Sequence, residues 1–413
     1  MSKLSFASTH LDLGLDRHER EVERHAASAT FDPQVHPSLD RISAAEWDSL
    51  MAGAAEGYDL YRALEAVPQP GFTLGCLTVH QFGRLVAAAP MFEMVYRLDT
   101  PFQGKLRAIT DRIHAHLPRL TSVSVLGLGS PMSDNCSIGF ARDLDPAARA
   151  GALATMLDHL ATEAKRRRST VIALKSLGPE ATQLHATATR AGFGRVTSVP
   201  VVMLPLPFAS LDAYLASLPD KTSSYLKRKL RGAKDIRIEY RRSTAGIEGR
   251  LMQLYRSTLA QSSVDYGDLD DLHPGYFTEL LSRLGDRAQL MLCWKGEQLL
   301  SFQVFIVGDK RIIANKIGMQ YPEARDHNLY FVNWLKMIEF AIERGIPEIE
   351  MGATTYAAKL MFGGHLERRW LYFRFRNGIA NRLVRPAHPY FDFERNDPGL
   401  KELHAKGLAE SIR

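Results

Sequence analysis

From Ile346 to Asn377 the chain reads IPEIEMGATTYAAKLMFGGHLERRWLYFRFRN, and the changes of pattern within this stretch decide the fold. Ile349 and Met351 alternate with Glu348 and Glu350, the period of two expected of a half-buried strand. Gly352 ends that strand. Thr354 and Thr355 stand where they can cap a short helix from Tyr356 to Met361. The Gly363-Gly364 pair stops that helix where a left-handed or closely approached backbone is needed. A second strand follows, with Leu371, Phe373 and Phe375 on one face and Tyr372, Arg374 and Arg376 on the other. Strand, short helix, glycine break and strand make an α/β unit. Lys359 then lies on a helix between two strand ends, where a rigid scaffold meets solvent.

Moving towards the N-terminus, 329–344 carries Phe331, Leu335, Ile338 and Ile342 on one helical stripe, closed by Gly345 and Pro347. Before it, 289–294, 299–307 and 311–319 read as a three-strand meander with turns at Lys295-Gly296 and Gly308-Asp309. The first half shows the same order of elements. Strands at 72–95 turn at Phe82-Gly83, and Pro90 implies a bulge or an edge position. A helix at 104–117, a strand at 124–128 and the small polar loop GSPMSDNCS follow; the loop suits either turning the chain or approaching a ligand. A helix at 146–168, a short strand at 171–174, a helix at 180–190 and an extended stretch at 196–206 complete the half. The fold class expected is α/β (α+β), with two tandem domains, each a mixed, largely antiparallel sheet flanked by helices. The boundaries expected are 1–40 for a loosely ordered arm with one helix at 16–27, 41–207 and 208–385 for the domains, and 386–413 for a tail.

Length supports two domains, since 413 residues exceed one ordinary core. The hydrophobic share of 45% and charged share of 24% are those of a globular protein. No run of 18 apolar residues occurs, and the first 25 residues lack the apolar core of a secretory signal, so a cytoplasmic location is expected. Cys76, Cys136 and Cys293 are far apart, without metal-ligand spacing, and read as thiols in a reducing compartment. The net charge of +6 is concentrated. Residues 221–237 hold seven basic side chains against Asp235, which leaves 45 basic and 45 acidic residues elsewhere. The sequence shows no Ser-His-Asp ordering, no zinc spacing, no Walker loop and no strand-linked GxGxxG, so metal, nucleotide-hydrolysing and serine-hydrolase chemistry are not indicated.

The pattern Gly352, Tyr356, Lys359, Phe362, Gly363 and Gly364, followed by a strand ending in Arg376-Asn377, resembles the C-terminal signature of the GNAT-related acyltransferases, above all the Fem-type aminoacyl transferases. In those enzymes a Lys-x-x-Phe-Gly run follows the penultimate strand, here Lys359 to Gly363, and its lysine is associated with the acyl carbonyl under attack. The run SSYLKRKLRGAK at 223–234 resembles the basic helix that opens the second domain in this group. The resemblance implies twin GNAT-like domains with the site between them. It also implies an N-acyltransferase that passes an activated acyl or aminoacyl group to a small-molecule or peptide amine in a ternary complex. Such transfer needs no covalently bound cofactor and no metal. It needs a co-substrate: acyl-coenzyme A, an acyl carrier protein or an aminoacyl-tRNA. A membrane partner is not implied.

On this reading Lys359 stabilises the oxyanion and Tyr356, one turn earlier, donates a proton to the leaving group. Ser301, Gln303 and Asn315, polar residues in otherwise apolar strands, bind a substrate amide or bond to one another. Asp265 and Tyr266, in a polar loop, close over an acceptor or form plain surface. Lys227, Arg228, Arg231 and Lys234, with Arg325, hold the carrier's phosphates or form a solvated face. The turn at 319–331 lacks the glycines usual at a pyrophosphate site and carries Glu323 and Asp326, which would repel one. Glu350 serves as a base through water or is solvated, the second being preferred. His365 reads as structural. The competing expectation is a non-catalytic module that keeps the twin fold and holds a carrier protein or RNA.

Overall fold

The computed structural model describes residues 31–51, 53–98, 105–117, 121–262, 271–384, 386 and 392–405. The expected helix at 16–27 and the Asp265-Tyr266 pair lie outside the described residues. In chain order the first half contains β1 (Asp32–His36), α1 (Ala44–Leu50), α2 (Tyr58–Ala66), β2 (Phe72–Gln81), β3 (Arg84–Arg97), α3 (Lys105–His116), β4 (Ser122–Leu128), β5 (Gly139–Phe140), α4 (Pro146–Arg166), β6 (Val171–Leu177), α5 (Thr182–Arg190), β7 (Gly194–Thr197) and β8 (Val201–Pro205). The second contains α6 (Leu211–Ser217), α7 (Asp220–Arg231), β9 (Ile236–Arg241), α8 (Glu248–Leu259), α9 (Tyr276–Leu284), β10 (Ala288–Lys295), β11 (Gln298–Val307), β12 (Ile312–Met319), α10 (Glu323–Asp326), α11 (Leu329–Glu343), β13 (Glu348–Gly352), α12 (Tyr356–Leu360), β14 (His365–Glu367) and β15 (Trp370–Phe375). The helices α13 (Gly378–Val384), α14 (Phe393–Asn396) and α15 (Pro398–Ala405) follow.

Local chemistry sets the helix starts. Ser43 caps α1, accepting from the Glu46 N–H at 3.2 Å and donating to the Glu46 carboxylate at 2.6 Å. Asp145 caps α4, accepting from the Ala148 N–H at 2.8 Å, with Pro146 at the first helical position. Thr354 and Thr355 do not cap α12. Both have left-handed φ, 64° and 50°, and Thr355 makes no capping bond.

Two sheets result. One runs β1-β2-β3-β4-β6-β15-β7, with β5 paired to β3; the other runs β14-β8-β13-β12-β11-β10-β9. The same plan is used twice, and the final strand of each half is exchanged. β8 inserts between β13 and β14 of the second sheet, and β15 inserts between β6 and β7 of the first. The 207/208 boundary therefore does not separate the sheets, because β8 precedes it yet lies in the second sheet and β15 follows it yet lies in the first. The stretch expected to be extended over 196–206 is two strands in two different sheets. The arm is also shorter than expected, since β1 pairs antiparallel with β2 over Asp32–His36. Pro90 marks neither an edge nor a bulge. It falls where the outer neighbour of β3 changes from β5 at Ala87 and Ala88 to β4 from Met91 onward, so its missing N–H breaks no ladder there.

One apolar core joins the halves. Trp47, Leu60, Tyr61 and Leu64 from α1 and α2 belong to the same buried cluster as Tyr276, Phe277, Leu280 and Phe302 from the second half. Arg287 is salt-bridged to Asp59 across the same contact. Cys76, Cys136 and Cys293 are free thiols. Among the described residues no helix is long and apolar enough to cross a membrane.

Candidate functional site

The two halves treat their central parallel strands differently. In the first, β4 and β6 stay paired from Val125–Val171 to Leu128–Leu174. In the second, β12 and β13 pair only at Ile312–Ile349 and Ile313–Glu350 and then diverge. A cleft of about 360 Å³ runs from this divergence across the face of the first sheet that α4 does not cover. Its walls follow from strand alternation. Phe92, Met94 and Tyr96 of β3, Val123 and Val125 of β4, Val171 and Ala173 of β6, and Leu371, Phe373 and Phe375 of β15 all face it. Phe92 and Leu98 are six residues apart, which sets a trough roughly 20 Å long at strand rise.

The polar end of this trough is built from both halves. Glu56, Asp134, Lys175, Asn315, Lys316, Glu350, Ala353 and Thr354 line it. Glu56 is 5% exposed and accepts a 2.5 Å hydrogen bond from Ser133 Oγ. Burial, reinforced by the Glu350 charge, pushes its carboxyl up to about 8. Glu350 is 1% exposed and is also raised by burial. It accepts from Asn135 Nδ2 at 3.1 and 3.2 Å and from Arg311 Nη1 at 3.1 Å. The solvated reading of Glu350 is thus corrected, because the outward face of β13 meets the first half's 129–137 loop instead of water. Lys175 donates to the Ser133 carbonyl, and burial lowers its ammonium. Beyond this wall lies a second, more open groove of about 1140 Å³, lined by Met51, Ala55, Glu56, Asn135, Arg149 and Arg311 among others. Glu56 lines both spaces.

Lys359 lies one layer behind the cleft. It is 5% exposed, and burial brings its ammonium down to about 7, partly offset by Asp134. Its Nζ donates to the carbonyls of Gly352 at 3.1 Å and Ala353 at 2.5 Å. These bonds hold a strained turn, since two successive β-branched residues in the left-handed region cost about 1–2 kcal/mol each. Ala353 and Thr354, on that turn, line the cleft. Tyr356 is placed elsewhere. Its ring is fully buried in the second core and packs against Gly399 of α15, which removes it from the cleft and from the role of proton donor.

The other expected residues separate into groups. Ser301 accepts from Asn333 Nδ2 at 2.7 Å inside the core beneath α11, so it is a packing group and not a substrate ligand. Gln303 is buried, and its Oε1 has no hydrogen-bond partner among the described residues. It stands opposite Ile317, on the part of β12 that has left β13. Asn315 does reach the cleft. It occupies the irregularity in β12, and its Oδ1 accepts from the Tyr276 hydroxyl at 2.8 Å. On α7, Lys227, Arg228 and Arg231 are exposed, as is Lys234 beyond it. Their neighbour Lys229 donates to Asn328 Oδ1 at 2.7 Å, which brings the basic helix to the N-terminus of α11. Arg325 is exposed and donates to Gln261. His365 sits in β14 opposite Met203.

Glu56 and Lys175 were not singled out by sequence. Glu56 is the one acid in the connection between α1 and α2 and gives no periodic signal. Lys175 did leave a trace, as the charged member of the apolar run Val171–Leu177. Asp134 and Asn135 belong to the small polar loop that suited a ligand.

Residues 221–360 match the family model for the acetyltransferase (GNAT) domain. The chain superimposes on the crystal structure of FemX with a TM-score of 0.56 and 13% identity, covering 83% of this chain and 98% of that one. A tandem GNAT protein from the clavulanic acid biosynthesis pathway gives a TM-score of 0.48 and 12% identity over 84% and 99%. No curated protein matches. The chain has a GNAT/Fem-like fold in two tandem units, with the GNAT acetyltransferase domain recognisable by sequence in the second.

Proposed function

We propose that this chain is an N-acyltransferase. A thioester-linked acyl donor lies along the divergence of β12 and β13 with its acyl chain on the apolar trough, and an amine reaches it from the groove on the far side of Glu56. The observation that carries this reading is the meeting of trough, strand divergence and buried carboxylates at one point. The basic helix beside the α11 N-terminus is the dock for the donor's phosphates.

In the reaction the amine nitrogen attacks the acyl carbonyl carbon, the bond to the donor's sulfur breaks, and the amine's proton passes to Glu56. A carboxyl held near 8 suits proton removal from an amine close to neutrality. Lys359 is a positioning residue for the 352–355 turn. Lys359→Ala should lower kcat roughly 10²-fold with little change in KM for the donor; an unchanged kcat would remove this role.

The chain-length test is direct. Ala173 faces the middle of the trough, so Ala173→Trp should cut kcat/KM for long-chain acyl donors at least about tenfold, the loss expected when one hydrophobic subsite is filled, and should leave acetyl transfer in place. Equal loss for both donors, or for neither, contradicts an acyl trough. A second reading, a non-catalytic carrier- or RNA-binding module, is favoured by Glu323 and Asp326 beside the α11 N-terminus. It calls for salt-sensitive binding with no turnover of any donor.

A further inference from the structure

The trough opens at one end of the first sheet, and the register identifies what gathers there. Arg97 stands opposite Ser122, the Thr170 N–H donates to the Ser124 carbonyl, and the Arg376 N–H donates to the Thr170 carbonyl. The ends of β3 and β15 and the starts of β4 and β6 are therefore level. α3 leaves and re-enters the sheet at this end, α13 follows β15 from it, and α4 finishes beside it. Ile379 and Leu383, one turn apart on α13, are 73% and 74% exposed. Ile113 and Leu117, four residues apart at the end of α3, and Val95 on β3 are exposed as well. Those on α13 are turned to solvent beside the trough, since Val384 of the same helix packs against the cluster of Phe92, Val125, Val171 and Phe373 that lines it, whereas Val95 alternates to the face of β3 opposite Met94 and Tyr96. Isolated exposed aliphatics need no explanation, whereas a patch continuous with an apolar cleft does.

Among the described residues the charge left unpaired at this end has one sign. Arg112, Lys165, Arg168, Arg376 and Arg382 are exposed. The nearby carboxylates are already held: Asp111 by Arg97, Glu163 by Arg166 and Arg167, and Glu93 by Arg167. Aliphatic side chains ringed by unneutralised cations are the composition that seats on an anionic bilayer surface, where the chains enter the acyl boundary and the cations meet phosphates.

We propose that this end of the first sheet docks on an anionic lipid surface, with α3 and α13 as its two contacts. The occupant is a lipid because the exposed groups are flexible aliphatics on two separate helices and those on α13 are continuous with the trough. An acyl chain can then pass from bilayer to cleft without crossing water. Docking stands apart from the acyl-transfer reading, since binding is measured without turnover.

The test is co-sedimentation of the full chain with vesicles of phosphatidylcholine containing phosphatidylglycerol, against phosphatidylcholine alone. The chain should pellet with the anionic vesicles and be released at high salt. The double variants Ile379→Asp with Leu383→Asp, and Arg168→Glu with Arg382→Glu, should each weaken binding at least about tenfold, with unchanged thermal melts because all four side chains are exposed. Ala173→Trp should bind vesicles like the unsubstituted chain, which separates docking from trough occupancy. Absence of vesicle binding, or equal binding by the double variants, overturns the proposal. Capture of acyl carrier protein at this surface, lost with the same substitutions while vesicles are ignored, overturns it in favour of a protein partner.

Discussion

Glu56→Gln should lower kcat by roughly 10²–10⁴, the contribution of a positioned general base, while leaving the protein folded. Glutamine keeps an oxygen to accept from Ser133 Oγ and removes only the ability to take a proton. The pH profile carries the sharper prediction. With the carboxyl at about 8, the ionised base accumulates as pH rises through that value, so the rate of the unsubstituted enzyme should climb there. The glutamine variant should lose this limb. A variant with the original rate and profile would remove Glu56 from the chemistry.

Stability gives an independent reading of the same group. Folded Glu56 keeps its proton up to about 8, whereas an unfolded glutamate loses it near its ordinary value of about 4.3. Between those limits the folded state binds more protons, so stability falls as pH rises, by at most about 1.4 kcal/mol per pH unit. Above about 8 the loss is complete. Lys359 acts in the opposite sense over a later window, because its folded ammonium titrates near 7 and an unfolded lysine near 10.4. The unfolded state then binds more protons, and stability rises with pH from about 7 to 10. Denaturant unfolding from pH 5 to 8 should show a decline that Glu56→Gln flattens. An unchanged slope in the variant would mean that the buried carboxyl does not govern it.

The legible parts of this molecule are those written in local pattern. Alternation and helical stripes marked most strands and the longest helices, the helix expected from 146 begins where α4 does, and the Gly363-Gly364 pair marked the end of α12. Gly363 has φ of 84°, and a Cβ added at Gly364 would lie 3.0 Å from the Met203 carbonyl. The illegible parts depend on what lies opposite a residue. Alternation put Glu350 on the outer face of its strand, which is correct, but the outer face is covered by a loop more than 200 residues away. The same holds for Lys359, which a helix wheel cannot distinguish from a surface lysine until the turn it supports is known. Tyr356 shares its helix with Lys359 but meets Gly399, in a tail with little periodic signal. Strand exchange is invisible for a related reason. β7 and β8 are separated by three residues, and nothing local says that they enter different sheets.

Exchange of the last strands should make the two halves unfold as one. β15 is an interior strand of the first sheet, hydrogen-bonded to β6 on one side and β7 on the other, and it buries Tyr372 and Phe373. β8 fills the corresponding position in the second sheet and buries Val201, Val202, Met203 and Leu204. A fragment ending at 207 would keep β8 without its sheet and lose the strand between β6 and β7. A fragment starting at 208 would lose the strand between β13 and β14 and leave β15 unpaired. Each ladder bond contributes about 0.5–1.5 kcal/mol net, and each buried side chain about 1.5–3 kcal/mol. Losing a central strand therefore costs as much as the 5–15 kcal/mol by which an ordinary domain is stable. The intact chain should show a single unfolding transition by circular dichroism and by tryptophan fluorescence. The fragments divided at 207/208 should be unfolded or insoluble apart and recover native signal when refolded together. Two separate transitions, or an independently folded first fragment, would show that each sheet can close without the other's strand.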